Sequence, residues 1–542
     1  MEEQALLSDA DKAAEVASLK AAEAANLATA KALYEQQKME GDEKAARGRA
    51  ESAELLDPFA LGTVAMLVGA FVDNVCSALY DVPLKYYLYD DLGVSVRAYY
   101  VLSACTSIPS SLLPFFGLLA LVPIRGCHHK FYWMLGYALS CACYLVLGTS
   151  SGSPSFSAIV WWLTCAAVGS SLRSTMLAMM MVERTRHETL ANRGLFSLYL
   201  ASASYCGAFV GQALASVLYE NELGLGSWGG FTISQIFVIC GVAPLVVVIP
   251  LACFLKEVPS IAARSTKSVA ARARFEFVAI WETLQDKRIG CILSFGLALY
   301  LLTVTNAAHS YLLLDGCDIS EPEYCWLKIV QDMTLWGVIV FYRQYLFEID
   351  LHTLFVGAYV VRTLAKLNDC VAVVAGGANS ALPCLFWVGG DDVTYDSCDV
   401  VAAEVLTLAL LLALAKRSAR DASERSASMS YLAIASILNV ASSISDIIDI
   451  YLEDIWDVNT DKLEAHDYGG YWRLELLTAL VPLAVLGFLP LLPRTREAAA
   501  TKEDGWFAPW KDAGHGRTAA FLFVAFWVLG DVYVFVYSIE TA

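Results

Sequence analysis

The segment FTISQIFVICGVAPLVVVIPLACFL, residues 231–255, is followed by KEVPSIAARSTKSVAARARFEFVAIWETLQDKR, residues 256–288, and this junction decides the fold. The first segment has no charged residue and is long enough to cross a bilayer, which takes roughly 20 apolar residues in a helix. The second segment contains seven Lys and Arg, which excludes it from the bilayer. Six apolar spans precede this basic loop and six follow it. We therefore predict an all-α polytopic membrane protein with two six-helix halves.

Apolar stretches of spanning length recur along most of the chain, which is 57% hydrophobic and 17% charged, with a mean hydropathy of +0.53. This balance excludes an ordinary soluble domain. The first six spans lie near 58–80, 98–122, 131–149, 155–182, 194–219 and 231–255. The next six lie near 289–311, 327–347, 350–374, 398–416, 429–452 and 471–493. A last run at 519–538, interrupted by Asp531, either crosses the bilayer as a thirteenth helix or lies along it.

Basic residues are distributed unequally between the loops. If the N-terminus is cytoplasmic, the loops on that side hold 22 Lys and Arg, whereas the opposite loops hold only Lys85, Arg97 and Lys462. The positive-inside rule requires such an asymmetry, so we expect a multi-pass protein with a cytoplasmic N-terminus in the plasma membrane or an organelle envelope. The acidic residues of the outer loops are interpreted as solvated side chains, among them Asp391, Asp392 and Asp396.

These patterns divide the chain into five regions. Residues 1–57 are rich in Ala, Glu and Lys and predict a soluble helical tail, which is either solvated or binds a protein partner as a coiled coil. Residues 58–255 form the N-terminal half, 256–288 the basic cytoplasmic loop and 289–493 the C-terminal half. Residues 494–542 contain a cytoplasmic linker and the thirteenth apolar run.

Most of the 15 cysteines lie in apolar spans, where a small buried thiol needs no further role. Four lie in or beside the predicted outer loops, where an oxidising compartment would allow disulfides: Cys317, Cys325, Cys384 and Cys398. His128 and His129 lack the spaced partners of a zinc site, so we expect neither a metal nor a cofactor.

Two kinds of short motif lie at the ends of the predicted spans. The first is an internal repeat, Tyr-Leu-x-x-Asp at 87–91 and 311–315, which parallel repeats would produce. The second is a series consisting of YLYDDLG at 87–93, Gly117 with Pro123, VERTR at 182–186, FLKEVP at 254–259 and Ser436 with Asn439. In this series the chain resembles the folate-biopterin transporter family of the major facilitator superfamily, over roughly residues 80–500.

The chain departs from that family at positions that bear on chemistry, which makes it a divergent member. The family has two Asp on helix 4 where this chain has Ser174 and Ala178. It also has an Asp between the residues that match Gly117 and Pro123, where this chain is apolar. The acidic residue that precedes helix 11 in the family is displaced in this chain, where Glu424 lies about three residues earlier. Substrate and proton coupling are therefore not carried over from the resemblance alone.

Ionisable groups inside the spans usually face a cavity, because each costs about 2.5–3.5 kcal/mol at a helix centre on insertion scales. The resemblance implies a central cavity lined by helices 1, 4, 7 and 10. The candidate substrate-binding residues on these helices are Asp73, Arg173, Asn306, His309 and Glu404. Second-tier candidates, which serve helix packing or lie near an outer vestibule, are Arg362, Asn439 and Asp446.

Arg173 is the first candidate, since its planar fork suits a carboxylate and it lies too deep to reach the interface freely. The alternative is that Arg173 pairs with Asp73 or Glu404 across the bundle. Asp73 and Glu404 are the candidate proton carriers, because burial raises the pKa of a carboxyl and a nearby Arg lowers it.

The sequence thus predicts a secondary transporter without enzymatic activity, working by alternating access on a small anionic organic solute. As the resemblance implies, folate or pterin is the first candidate, with proton coupling. Two alternatives remain open: a facilitator of another solute, such as a sugar, a nucleoside or S-adenosylmethionine, and a non-transporting receptor or scaffold. No nucleic-acid partner is expected, and the membrane lipid is the surrounding partner.

Overall fold

The computed structural model describes residues 60–541 apart from short gaps. The gaps are 89–91, 95, 123, 125–128, 151–153, 186, 190–191, 220–229, 256–267, 307, 310–311, 314–316, 318, 320, 377–380, 419–423, 459–461, 464, 501–509 and 511–512. The predicted tail at residues 1–57 and the acidic ends of both repeated motifs, Asp91 and Asp315, lie outside the described residues.

Seven helices make up the N-terminal half. They are α1 (Leu61–Tyr86), α2 (Val96–Ser111), α3 (Leu113–Leu119), α4 (Lys130–Thr149), α5 (Phe156–Thr185), α6 (Leu195–Leu218) and α7 (Ile233–Ala252). The second predicted span is split into α2 and α3 at Leu112, where Pro114 begins the next helix and cannot donate to the ladder of α2.

Nine further α-helices of five residues or more lie in the described part of the remaining chain. They are α8 (Val269–Leu284), α9 (Lys287–Leu302), α10 (Glu321–Phe341), α11 (Leu351–Val374), α12 (Ala381–Ser418), α13 (Glu424–Trp456), α14 (Tyr471–Leu480), α15 (Arg496–Ala500) and α16 (Ala513–Thr541). A π-helical turn at Tyr342–Leu346 extends α10, and a 3-10 segment at Val481–Leu491 extends α14.

Nine helical segments in the described part of the chain are long and apolar enough to cross a membrane. They comprise α1, α4, α5, α6, α7, most of α12, most of α13, α14 with its 3-10 extension, and α16. The other four predicted spans are also helical, but they are split, short or charged. The second is divided at Leu112, α9 has 16 residues, and α10 and α11 contain several ionisable side chains.

Two predicted boundaries in the second half are wrong. The tenth span, expected at 398–416, begins at Ala381, so Asp391, Asp392 and Asp396 belong to a helix and not to a solvated loop. The seventh span, expected at 289–311, ends at Leu302, and residues 303–306 are not helical. Part of the predicted basic loop is the helix α8, which begins where Ser268 accepts a hydrogen bond from the Ala271 N–H.

Small residues bring the helices of the N-terminal half close together. A Cβ at Gly207 of α6 would lie 2.3 Å from a backbone carbonyl oxygen of α1, and a Cβ at Gly211 would lie 2.4 Å from another. A Cβ at Gly136 of α4 would lie 2.7 Å from the Gly169 carbonyl oxygen of α5. Such small-residue contacts let membrane helices approach at backbone distance. They set the position of the functional side chains on α1, α4 and α5.

The thirteenth apolar run is a helix, α16, which contacts both α2 and α13. The indole N–H of Trp527 donates to the Ser111 carbonyl at 3.0 Å, and a Cβ at Gly530 would lie 2.4 Å from Val440 of α13. This helix therefore packs against one helix from each half.

Candidate functional site

Arg173 on α5 is a buried cation in the N-terminal half, with 7% of its surface exposed. Its Nη1 group donates to Ser140 Oγ at 2.8 Å, and its Nη2 group donates to the carboxylate of Asp73 on α1. The guanidinium carbon lies 5.0 Å from the ring centroid of Tyr137, within cation–π range. The buried Nε–H has no hydrogen-bond partner among the described residues. One donor of the fork is therefore left over for a ligand.

Arg173 can reach Ser140 because α4 and α5 meet at Gly136 and Gly169. A Cβ at Gly136 would lie 2.9 Å from the Arg173 backbone nitrogen. The Ser140 hydroxyl completes this arrangement by donating to the Ala166 carbonyl at 3.0 Å. The close packing of two helices thus fixes the guanidinium relative to α1.

A cavity of about 600 Å³ lies in front of Arg173. Residues from seven helices line it, among them Asp73, Asn74, Ser77, Tyr80 and Asp81 of α1, Ser103 of α2, Leu113 of α3, Tyr144 of α4, Arg173 and Ser174 of α5, Cys240 of α7 and Asn439 of α13. The ring centroids of Tyr80 and Tyr144 are 5.6 Å apart. The cavity therefore combines one cation, two carboxylates and two aromatic rings.

A second cavity of about 370 Å³ shares Ser103 with the first and extends into the C-terminal half. Its polar lining comes from Thr305, Asn306, His309, Lys328, Gln331, Asp392, Asp396, Ser443, Asp446 and Asp449. Val534 and Tyr537 of α16 also line it, so the thirteenth helix forms part of its wall. Together the two cavities present six aspartates against one arginine and one lysine.

The predicted site residues fall into three groups. Asp73, Arg173 and the second-tier Asn439 line the first cavity, and Asn306, His309 and the second-tier Asp446 line the second. Glu404 and Arg362 line neither cavity. The guanidinium of Arg362 is fully buried and its Nε donates to Asp399 at 2.7 Å, so Arg362 serves packing within the C-terminal half.

Glu404 has no hydrogen-bond or ion-pair partner among the described residues. The tyrosines within electrostatic range of its carboxylate come from four helices or helix extensions: Tyr205, Tyr300, Tyr342 and Tyr431. The predicted Arg173–Asp73 pair is therefore present, and the predicted alternative Arg173–Glu404 pair is not.

A buried cluster of charged side chains lies behind the second cavity, and the sequence interpretation missed it. The Lys366 ammonium lies 2.8 Å from Glu475 Oε1, and Glu475 Oε2 accepts a hydrogen bond from the Asn306 side chain at 2.8 Å. His309 Nδ1 lies 3.6 Å from Asp369, and His309 Nε2 lies 3.5 Å from Asp392. These residues come from α11, α12, α14 and the segment after α9. We call Lys366, Asp369, Glu475, His309 and Asp392 the buried charge cluster.

A signal for this cluster was present in the sequence. Arg362, Lys366 and Asp369 lie within the predicted span 350–374 at helical spacing, and Glu475 lies within the span 471–493. Charged groups inside spans indicate function by the same reasoning that selected Arg173. Asp392 could not be found in this way, because the tenth span was predicted to begin after it.

His309, Asp369 and Glu475 are also close enough to approach one metal ion, since one atom of each lies within 4.8 Å of the others. The Lys366 ammonium, however, already lies 2.8 Å from Glu475 and supplies a cation at this point. The repulsion between a lysine and a metal ion at such a distance in a buried site is large. The arrangement therefore fits a metal poorly.

A disulfide joins two of the four cysteines predicted to lie in or beside outer loops. Cys317 and Cys384 are bonded, which ties the segment before α10 to the beginning of α12. Cys325 lies buried in α10 and Cys398 lies buried in α12.

Packed contacts between the halves close the ends of the helices that are predicted to face the cytoplasm. The Ser428 hydroxyl of α13 donates to the Met179 carbonyl of α5 at 3.5 Å. A Cβ at Gly117 would lie 2.8 Å from the Met429 sulfur, and a Cβ at Gly194 would lie 2.4 Å from Leu408 of α12. The cavities lie on the other side of these contacts.

Comparison with known proteins identifies the family of the chain. A model described as the BT1 family matches residues 74–507. The chain belongs to the BT1 family. This is the folate-biopterin transporter family, so the membership predicted from the short motifs is confirmed. No curated protein sequence matches the chain significantly.

One solved structure shows the same fold at low sequence identity. A bacterial homologue of the iron transporter ferroportin in an outward-facing state has a TM-score of 0.51 and 13% identity, over 79% of this chain and 98% of that one. The transporter FucP in the outward conformation has a TM-score of 0.48 and 12% identity, over 81% of this chain and 99% of the other. The family match and the helices of spanning length show that this BT1 family member is an integral, multi-pass membrane transporter.

Proposed function

We propose that this BT1 family member is a secondary transporter of a small anionic organic solute, with folate or pterin as the first candidate, and that it is coupled to protons. The observation that supports the proposal is the buried guanidinium of Arg173 on the wall of a 600 Å³ cavity. An arginine binds a carboxylate through charge-assisted hydrogen bonds. Its unpartnered Nε–H leaves it able to form one more such bond.

Binding and conformational change are linked through Asp73. A substrate carboxylate would compete with Asp73 for the Arg173 fork and release the Asp73 carboxyl into the cavity. Asp73, once released from its cation, is the first proposed proton carrier. A solute can shift the equilibrium between two conformations of a transporter only if its contacts with the protein differ between them. Glu404, half-buried and without a cationic partner among the described residues, is the second proposed proton carrier.

The aromatic wall of the first cavity supports a flat ring as the other part of the solute. Tyr80 and Tyr144 both line the cavity, and Tyr144 stacks on Phe237 with an interplanar angle of 8°. Offset stacking of aromatic rings contributes about 0.5–1.5 kcal/mol beyond the burial of their surface. A pterin ring would satisfy this geometry.

Uptake by reconstituted vesicles tests the proposal. Wild-type protein should accumulate labelled folate or biopterin when a proton gradient is imposed, and Arg173→Lys should reduce uptake roughly 10- to 100-fold, since a hydrogen bond to a charged group contributes about 1.5–3 kcal/mol. Arg473→Lys, at an exposed position of α14 outside both cavities, is the matched control. Equal uptake by Arg173→Lys and the control would refute the role of Arg173.

A solute with both a carboxylate and a cationic group is a second candidate, because the two cavities contain six aspartates against Arg173 and Lys328. S-adenosylmethionine has this pattern of charge. Uptake of each labelled solute separates the candidates: accumulation of labelled S-adenosylmethionine that unlabelled folate does not inhibit would favour the second. Failure of wild-type vesicles to accumulate any solute would favour the receptor or scaffold alternative.

A further inference from the structure

His309 separates the second cavity from the buried charge cluster. It lines the cavity together with Asp392, whereas Lys366, Asp369 and Glu475 do not line it. The ring presents Nε2 toward Asp392 at 3.5 Å, and Nε2 has no hydrogen-bond partner among the described residues. On the other side, Nδ1 lies 2.9 Å from the Tyr471 hydroxyl and 3.6 Å from Asp369 Oδ2. One imidazole thus faces both the cavity and the protein interior.

Asp369 is the member of the cluster that lacks a cation of its own. Its surface is completely buried, and neither carboxylate oxygen has a hydrogen-bond partner in the described part of the chain. Glu475 has Lys366 at 2.8 Å, and Asp392 has Lys328 at 3.8 Å. A buried carboxylate without hydrogen bonds is costly unless it is neutralised.

The charges around Asp369 and His309 come from every helix packed against them. They are Lys328 of α10, Lys366 of α11, Asp391 and Asp392 of α12, and Glu475 of α14, with Tyr395 and Tyr471 as neutral hydroxyls. Asp391 is only partly buried and accepts a hydrogen bond from Asn368. The buried members are therefore three carboxylates, including Asp369, and the Lys366 ammonium, because Lys328 is also partly exposed.

Protonation of Asp369 or His309 reduces the excess of negative charge in this buried set without needing any coordination space. A metal ion would face the Lys366 ammonium, which already lies 2.8 Å from Glu475. Since buried charges persist when they are paired, the position of Lys366 favours a proton over a metal ion.

We propose that Asp369 is a proton-binding site and that His309 carries the proton between it and the second cavity. A proton from cavity water binds His309 Nε2. The proton on Nδ1 then passes to Asp369 Oδ2, and the imidazole returns to its neutral form. One proton moves, no electron is transferred, and no bond between heavy atoms changes. The distance of 3.6 Å requires the ring to move by about 0.5 Å to reach hydrogen-bonding range.

The same segment connects this proton site to helix movement. The Asn306 side chain donates to Glu475 at 2.8 Å, and Thr305 donates to Asp449 of α13 through its hydroxyl at 2.6 Å. Residues 303–306 are not helical, as in the interrupted helices that form ion sites in transporters. Protonation of the cluster would therefore change the contacts of a segment that also lines the cavity. This coupling rests on the proposed transport function, but the proton site itself does not.

Difference infrared spectroscopy on the purified full chain tests the site directly, between about pH 8 and pH 5. Wild-type protein should show the carbonyl stretch of a protonated carboxyl group that is lost in Asp369→Asn and retained in Asp369→Glu. Asp454→Asn, at an exposed position of α13, is the matched control and should retain the band. His309→Gln should slow the appearance of the band after a pH jump by roughly 100-fold, the size of a general acid–base contribution.

Two results would overturn the proton site. One is an unchanged band in Asp369→Asn. The other is tight binding of Mn²⁺ by wild-type protein that Asp369→Asn abolishes, which would make the cluster a metal site.

Transport measurements then test the coupling separately. Asp369→Asn should lose proton-driven accumulation and keep solute exchange across the membrane. If wild-type vesicles transport no solute, the proposed function fails, while the infrared result still decides the proton site. If Asp369→Asn accumulates solute as wild type does, the coupling is wrong.

Discussion

At the scale of single residues, the Arg173–Asp73 pair shows why a buried ion pair is better explained by function than by stability. The free energy that is lost when two charges are desolvated is about as large as the free energy gained from their attraction. Such pairs therefore contribute little net stability. Here the pair lines a cavity, and the guanidinium keeps one unpartnered N–H group. Competition by a substrate is the role that we propose for this pair.

Glu188, in the loop between α5 and α6, is a residue with a testable effect of pH on stability. Its carboxylate accepts hydrogen bonds from the backbone N–H groups of Gly194 at 2.6 Å and Phe196 at 2.7 Å. Burial raises the pKa of Glu188 from 4.5 to about 7, while these two N–H groups act in the opposite direction. A carboxyl with a raised folded-state pKa stabilises the fold fully below its unfolded-state pKa, and this contribution is lost as the pH rises through the folded-state value.

We therefore expect the unfolding temperature of wild-type protein to fall between about pH 4.5 and pH 7 more steeply than that of Glu188→Gln. Thermal unfolding in detergent at several pH values measures this difference. Glu348→Gln, at an exposed position, should follow the wild-type curve. Parallel curves for wild type and Glu188→Gln would contradict the expectation.

At the scale of elements, the contact between α1 and α6 depends on two glycines. The Cβ of Gly207→Ala would lie 2.3 Å from the Phe71 carbonyl oxygen, a distance at which backbone must move. We expect Gly207→Ala to destabilise the N-terminal half by about 1–3 kcal/mol, the usual cost of overpacking.

Gly337→Ala on α10 is the matched control, because a Cβ there meets no atom within 4 Å. Thermal unfolding of both variants, together with the fraction that remains monodisperse after heating, measures the effect. If Gly207→Ala is as stable as Gly337→Ala, the packing of α1 against α6 does not depend on contact at backbone distance.

The helices of the C-terminal half show how an element can differ from its apolar pattern. The first part of α12 contains Asp391, Asp392 and Asp396, so hydropathy places the span too late. The helix continues through these residues because their carboxylates have partners on other helices: Asn368 of α11, and Lys328 and Gln331 of α10. Within a membrane, a helix satisfies its own backbone, and its charged side chains require tertiary contacts.

At the scale of the whole molecule, the two halves touch at the ends predicted to be cytoplasmic, and the cavities lie beyond that contact. Transport by alternating access requires these ends to separate. A disulfide between Gly117→Cys and Met429→Cys should therefore stop transport, and a reductant should restore it. The two positions are in contact, because a Cβ at Gly117 would lie 2.8 Å from the Met429 sulfur.

Each single cysteine variant is the control, and both should transport before and after oxidation. The measurement is solute uptake by vesicles with and without reductant. Unimpaired transport by the fully cross-linked double variant would show that α3 and α13 need not separate.

The sequence by itself determined the membrane class, the division into two halves, the family and the presence of Asp73 and Arg173 inside apolar spans. Local patterns are sufficient for these conclusions, because apolar length and the rarity of charged residues in a span are properties of contiguous sequence. Only the tertiary structure decided that Arg173 pairs with Asp73 and not with Glu404, that α12 begins before its aspartates, and that His309 meets Asp369 and Glu475. Those contacts join residues far apart in the chain, so they depend on the packing of helices against one another.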